Sequence, residues 1–507
     1  MSYISFDKKQ LVNLEFTLNR EILRSNRSGA FSATTLIGCN TRKYHGLLVV
    51  PQPQLDVNNH VLLSNIDETI IENKEEFHLG VHMYANNVFA PRGHKYLRDF
   101  SAEPIPKLTY QIGSTVFTKE LIFVEHEARV MIRYAVVESS APVTLRVLPF
   151  LAFRNVHMLT HENHFANRKF EPSKNGSSWQ LYENYSRLFL QFSREVEYTH
   201  IPHWYYNMFY IRECERGYDA LEDQYVPGFF ELPMREGNTV VLSAGLEEAN
   251  PSAFKRQFNA EVKNRTPRNS FENCLINSAQ QFVVKDQNGT RLWAGFPWFG
   301  VCSRDTFLSL PGLILTQGDE KSFREALDYL IERMEGPFFP HKYYQNDLYY
   351  TAVDSPLWFI WNLQKYEEIC GVKKSAIWKK YKNQIITILE SYINGADFNV
   401  KMQENGLLYA GNQDLALTWM NVFSGERPWT ARYGLAIEVN ALWYNALKYA
   451  CDLAGKTVVD KNYVSRWKTA AEKIEKSFPE TFYDSAKGQF YDFVNEDEKT
   501  PWFAQTC

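Results

Sequence analysis

Between about residues 36 and 245 the apolar positions recur with a period near two, and turn-forming residues separate the runs. Residues 129–136 place Val130, Ile132, Tyr134 and Val136 on one face, and 143–147 alternate in the same way after a Ser-Ser-Ala-Pro turn. Further runs at 44–50, 61–66, 116–124, 179–192 and 240–244 predict many short strands and no long helix, the pattern of an antiparallel β-sandwich. The polar stretch 251–269, with Pro251 and Pro267, reads as a linker. Beyond it the period becomes helical. Ser270 can cap a helix that sets Phe271, Leu275, Ala279 and Phe282 on one face. More helices are predicted at about 306–316, 319–334, 355–370, 374–392, 437–454 and 462–478, with long aromatic-rich loops between them. Loops of that length in a helical domain are usually functional. The expected organisation is a β domain over 1–250, a linker over 251–269 and a helical domain over 270–507.

Two segments of the β half do not fit simple alternation. Asn40-Thr41-Arg42-Lys43-Tyr44-His45-Gly46-Leu47-Leu48 puts a basic, aromatic turn ahead of an apolar run. Trp204-Tyr205-Tyr206 leads through Glu213, Arg216-Gly217-Tyr218-Asp219 and Glu222-Asp223 to Pro227-Gly228, which reads as a long charged loop. A solvated sheet edge would account for both, and for His45 an ordinary hydrogen-bonded role.

Composition narrows the partners more than the fold. A formal net charge of −4 and a pI near 6.3 give no broad basic field to steer nucleic acid or anionic lipid toward the chain. A neutral ligand fits better, and 15% aromatic residues suit stacking on one. The seven cysteines are scattered, with no spacing that builds a metal site, so reduced thiols are expected. The N-terminal residues lack a signal-like apolar core, and no apolar run reaches the ~18 residues of a membrane span, so a cytoplasmic protein is expected.

The densest candidate chemistry lies at 293–312. Trp293-Ala294-Gly295-Phe296-Pro297-Trp298-Phe299-Gly300 precedes Ser303-Arg304-Asp305-Thr306, which enters an apolar helix. Aromatic faces beside fixed charges suit a polyhydroxylated ligand, whose C–H faces stack and whose hydroxyls need donors and acceptors. A core loop with a self-neutralising ion pair would leave the same trace.

The stretches at 294–300 and 304–306, the run Leu417-Thr418-Trp419-Met420, and Val439-Asn440-Ala441-Leu442-Trp443 after Glu438 together resemble the amylo-α-1,6-glucosidase domain of bacterial and archaeal glycogen debranching enzymes. Residues 40–48 and the 216–228 segment resemble the N-terminal domain of the same family, so the likeness runs in order along the whole chain. It implies a β-sandwich followed by an (α/α)6 toroid of glucoamylase type, incomplete at the C-terminus because several helices are missing. It also implies inverting hydrolysis of the single α-1,6-linked glucose at a glycogen or limit-dextrin branch, without metal or organic cofactor. Inversion needs an acid to protonate the leaving oxygen and a carboxylate to activate water, ~6.5–9.5 Å apart.

By that resemblance Arg304 and Asp305 match the pair that holds the terminal glucose. Trp298 and Trp419 are candidate stacking platforms, Asp354 a pocket acid, and Arg432 a retained arginine of the next motif. Trp358, Trp361 and Trp443 sit on helical runs and read as core. The general acid is where the chain departs. Family members commonly read Thr-Trp-Met-Asp, but this chain has Asn421, and an amide cannot deliver a proton. Glu438 is the nearest retained carboxylate, either a pocket ligand or a substitute acid. The general base is expected beyond residue 507. Three activities remain open: an α-1,6-glucosidase, a catalytically impaired α-glucan-binding protein, and a glucoamylase-like α-1,4-glucosidase or phosphorylase.

Overall fold

A computed structural model describes residues 2–287, 289–344, 347–455 and 461–501, without the side chains of 342–348, 461 and 501. Cys507 lies outside the described residues. Contacts divide the chain into two compact units: Met1–Asp286 with Gly295–Trp298, and Gln287–Ala294 with Phe299–Cys507. The first is β-rich and the second is mainly helical, as the change of period predicts.

The β unit is built on two antiparallel sheets of nine and ten strands. In the first, Arg129–Glu138 lies between Thr115–Phe123 and Thr239–Gly245, with Val130 opposite Ala244 and Ile132 opposite Leu242. In the second, Val143–Asn155 lies between Asn59–Glu72 and Leu221–Met234, with Val147 opposite Phe230. The alternating residues Val130, Ile132, Tyr134 and Val136 join Val143, Leu145 and Val147 in one buried cluster, so both sheets feed a single core. Tyr134 donates to buried Glu68 at 2.6 Å, and Lys119 Nζ lies 2.7 Å from the same carboxylate.

Three expectations for this unit need correction. The presumed linker contains helix α1, Phe254–Asn264. Its Phe254 and Phe258, one turn apart, are buried on the outer face of the first sheet against Ile122, Met131 and Val241. Two apolar side chains at i and i+4 anchor a helix that is otherwise polar, so composition alone hides it. The division between the units accordingly falls at 286 rather than near 250. Helix α2, Phe271–Phe282, starts at its predicted cap, where Ser270 Oγ accepts from Asn273 N–H at 3.1 Å. It packs by its polar side: Gln281 accepts from the Ser25 N–H at 2.8 Å, while Phe271 and Leu275 are exposed. Finally, the charged segment 204–228 is mostly strand, in Glu197–Phe209 and Leu221–Met234, linked by a short helix at Ile211–Glu215. Glu222 is fully buried because Arg154 and Tyr210 both donate to it.

The second unit contains helices α3 (Ser303–Leu313), α4 (Glu320–Ile331), α5 (Ser355–Cys370), α6 (Lys374–Asn394), α7 (Ile437–Ala454) and α8 (Lys461–Phe482). Among the described residues none is long and apolar enough to cross a membrane. The long loops are not structureless. They carry two-residue hairpins at Lys401–Met402 with Leu408–Tyr409 and at Phe423–Ser424 with Arg427–Pro428. Leu435–Ala436 pairs with Gln489–Val494, which carries chain from the far end of the sequence up to the start of α7.

Candidate functional site

Helix α3 begins at Ser303, three residues before its predicted start, so Arg304 and Asp305 sit in its first turn rather than in a loop. A carboxylate is favoured there by the helix dipole and a cation is not. Arg304 is therefore turned inward to a counter-charge. Its Nε donates to both oxygens of Asp354 at 2.7 and 3.0 Å, and both residues are buried. Asp354 precedes α5, with Pro356 in the first turn, where negative charge is again favoured. Burial would lower the pKa of Arg304, but the charge of Asp354 overrides it and the net shift is upward. The partner of Arg304 is thus Asp354, not its neighbour Asp305, which stays exposed.

The 410–436 loop closes over this pair. Ala410 and Gly434 exchange backbone hydrogen bonds at 2.8 and 2.9 Å and pin the two ends of the loop. Between them, the carbonyl of Leu417 accepts from Val353 N–H at 3.1 Å and from Arg304 Nη2 at 3.4 Å. The next residue, Thr418, accepts from Arg432 Nη1 at 2.9 Å. Arg432 is the centre of a second charged cluster. It donates to both oxygens of Glu438 at 2.6 and 2.8 Å and to both of Asp492 at 2.7 Å. Burial alone would lower its pKa, yet these bonds raise it, and the guanidinium is fixed as a cation between two carboxylates. To donate a proton, Glu438 would first have to take one up on an oxygen that now accepts from Arg432, so the arrangement favours the pocket role over the substitute acid. Behind Arg432 a cavity of about 10 Å³, lined by Val353, Leu417, Thr418, Tyr433 and Val439, holds no more than one water-sized body. It is too small for a sugar ring.

Trp419 is 48% exposed, with the Arg432 guanidinium carbon 5.9 Å from its ring centroid, and Phe423 and Trp429 are exposed around the hairpin that follows. Asn421 lies between them and is not idle. Its Nδ2 donates to His341 Nε2 at 2.8 Å, which leaves Nδ1 of the neutral ring to carry the proton toward Cys302 Sγ at 3.4 Å. Burial, reinforced by Asp305, pushes the Cys302 thiol up to about 12, so it is an inert partner rather than a nucleophile.

The structure therefore joins Arg304, Asp354, Trp419, Arg432 and Glu438 around Leu417–Thr418, with Asn421 on the adjoining His341. Gly295–Trp298 belongs to the β unit, where Trp298 packs on the cluster containing Phe31 and Tyr44 and lies under Arg42 at 5.2 Å. Trp443 is fully buried and donates to the Gly406 carbonyl at 3.2 Å, the core role expected of it. His341 and Asp492 were not singled out from the sequence. Asp492 interrupts the apolar run 490–494, a signal that a lone carboxylate inside a strand has a partner.

Similarity to known proteins also falls into two parts. The family described as "Glycogen debranching enzyme N terminal" matches residues 20–241, and the family described as "Amylo-alpha-1,6-glucosidase" matches residues 277–503. No curated protein sequence matches. Among solved structures, a bacterial glucoamylase complexed with acarbose is similar with a TM-score of 0.51 at 10% identity, over 99% of this chain and 71% of that one. At that identity the likeness is one of fold.

Proposed function

Because the chain belongs to the glycogen debranching enzyme family, we propose that its helical unit is a glycoside hydrolase site for α-glucan, directed at the single α-1,6-linked glucose of a branch stub. The observation that carries this reading is the convergence of Arg304–Asp354 and Arg432–Glu438–Asp492 on one loop, within the region matched to amylo-α-1,6-glucosidases. Asp305, exposed in the first turn of α3, presents an acceptor for the hydroxyls of the terminal glucose, while Arg304, buried against Asp354 and the Leu417 carbonyl, fixes that turn to the loop. Trp419 offers the stacking face. Arg432 fixes Thr418, and with it the position of 419–421, by bonding that loop to Glu438 and Asp492. The fold likeness to a glucoamylase that binds acarbose also supports an α-glucan ligand.

Residue 421 sets the rate. In a carboxylate-based inverting mechanism the leaving oxygen takes its proton from a carboxylic acid. An amide at that place forfeits the ~10²–10⁴-fold that such catalysis supplies. The bond from Asn421 to His341 favours a second reading, in which this is a glucan-binding site that turns over slowly or not at all. Glucose release from a limit dextrin with single-glucose stubs, compared with a linear α-1,4 chain, tests the linkage. Release from the linear chain alone contradicts it.

A further inference from the structure

The two irregular segments of the β unit have no part in the hydrolytic reading, yet the fold brings them together. The Arg212 N–H donates to the Thr41 carbonyl at 3.0 Å, joining the 210–219 segment to the 40–48 turn. Beneath them, Arg154 is paired with the fully buried Glu222 and gives its Nη2 to the Lys43 carbonyl at 2.7 Å. A buried ion pair thereby anchors the backbone of a surface lysine.

On the surface, Tyr218 is 57% exposed, with Lys43 Nζ and the Arg216 guanidinium carbon 5.5 and 5.0 Å from its ring centroid. Gly217, at φ +76°, makes the turn that returns the Tyr218 N–H to the Glu213 carbonyl at 3.0 Å. Glu213 is fully buried. Its Oε2 accepts from Arg216 at 3.3 Å, while its Oε1 has no hydrogen-bond partner among the described residues. A buried carboxylate oxygen without a donor is costly, and a ligand hydroxyl relieves that cost. Burial first, and then the charge of Glu213, raises the pKa of Tyr44, so the field of this carboxylate reaches the 40–48 turn. Lys43 and Arg216 are matched in charge by Glu213 and Asp219, both of which act on Lys43. A balanced set of donors and acceptors beside an exposed aromatic ring suits a neutral sugar better than an anion.

We propose that Lys43, Glu213, Arg216 and Tyr218 form a separate α-glucan-binding site on the β unit, in which a glucose ring lies against Tyr218 and shares its hydroxyls between the two cations and Glu213 Oε1. The choice of an α-glucan rests on the function proposed above. Calorimetric titration of the full chain with maltoheptaose tests it. Tyr218→Ala removes only an exposed ring, and its effect is expected to be at least tenfold weaker binding at one class of site. Lys43→Ala is expected to act in the same direction, and Tyr206→Ala, another exposed tyrosine of this unit, to titrate as the unaltered protein does. Unchanged titration of both Tyr218→Ala and Lys43→Ala overturns the site. Glucose release by the unaltered chain reports on the hydrolytic reading independently, so release with unchanged titrations overturns this inference alone.

Discussion

Arg304 is a cation in the first turn of a helix, tolerated because Asp354 meets it in a buried, charge-assisted pair. Such a pair contributes little net stability, but removing one member strands the other. Arg304→Ala is expected to destabilise the protein by about 3–5 kcal/mol, read as a lower denaturation midpoint. A midpoint equal to that of the unaltered chain would contradict the pairing. Glu21 in the β unit gives a pH signature. Burial opposes its ionisation, but His45, 3.6 Å away, and the bonded Arg42 win and hold it down at about 2, against an ordinary value of 4.5. A carboxyl whose folded pKa is depressed adds stability that is complete above its unfolded pKa and is lost as pH falls through the folded one. Glu21→Gln is therefore expected to melt lower than the unaltered protein at pH 7, with the deficit shrinking between pH 4.5 and 2. Melting curves at pH 7 and pH 3 check it, and a constant deficit would contradict it.

At the scale of elements, the site is made by the 410–436 loop, and that loop was only half legible. The strands at 129–136 and 143–147 follow from alternation because one face of each is in the core. The start of α2 follows from Ser270. Family motifs pick out Arg304, Thr418, Trp419, Arg432 and Glu438, but no local pattern says that Arg304 pairs with a residue fifty positions on. Nor does any say that Arg432 reaches Asp492 at the far end of the chain. The surroundings of Trp298 are likewise not local: its neighbours in space are Tyr44 and Arg42, far from it in sequence. Charge misled at Glu222, where buried partners rather than solvent satisfy the carboxylate. Glu222→Ala is expected to cost about 3–5 kcal/mol in unfolding free energy by leaving Arg154 unpaired. In the loop itself, Trp419→Ala removes the stacking face proposed for the sugar, a contact of about 0.5–1.5 kcal/mol, and is expected to raise KM for a branched glucan ~2–12-fold.

Taken as a whole, the molecule carries a net charge of only −4, and Arg304 and Arg432 are held in ion pairs. Recognition of a neutral polymer by such a surface depends on stacking and on short-range hydrogen bonds. Neither is screened as exposed charges are over the ~10 Å Debye length of 0.1 M salt. Affinity for maltooligosaccharide is therefore expected to change less than about twofold as salt rises from dilute to several times 0.1 M. A steep loss, measured by the same titration, would instead indicate binding through unpaired charge. The central claim is that the helical unit holds a terminal α-glucosyl group with position 421 facing the leaving oxygen. The most direct measurement is the initial rate of glucose release from a branched oligosaccharide bearing one α-1,6-linked glucose, by the protein with its general base present, unaltered and as Asn421→Asp. The account predicts a rise of ~10²–10⁴-fold in the variant; equal rates in the two proteins would contradict it.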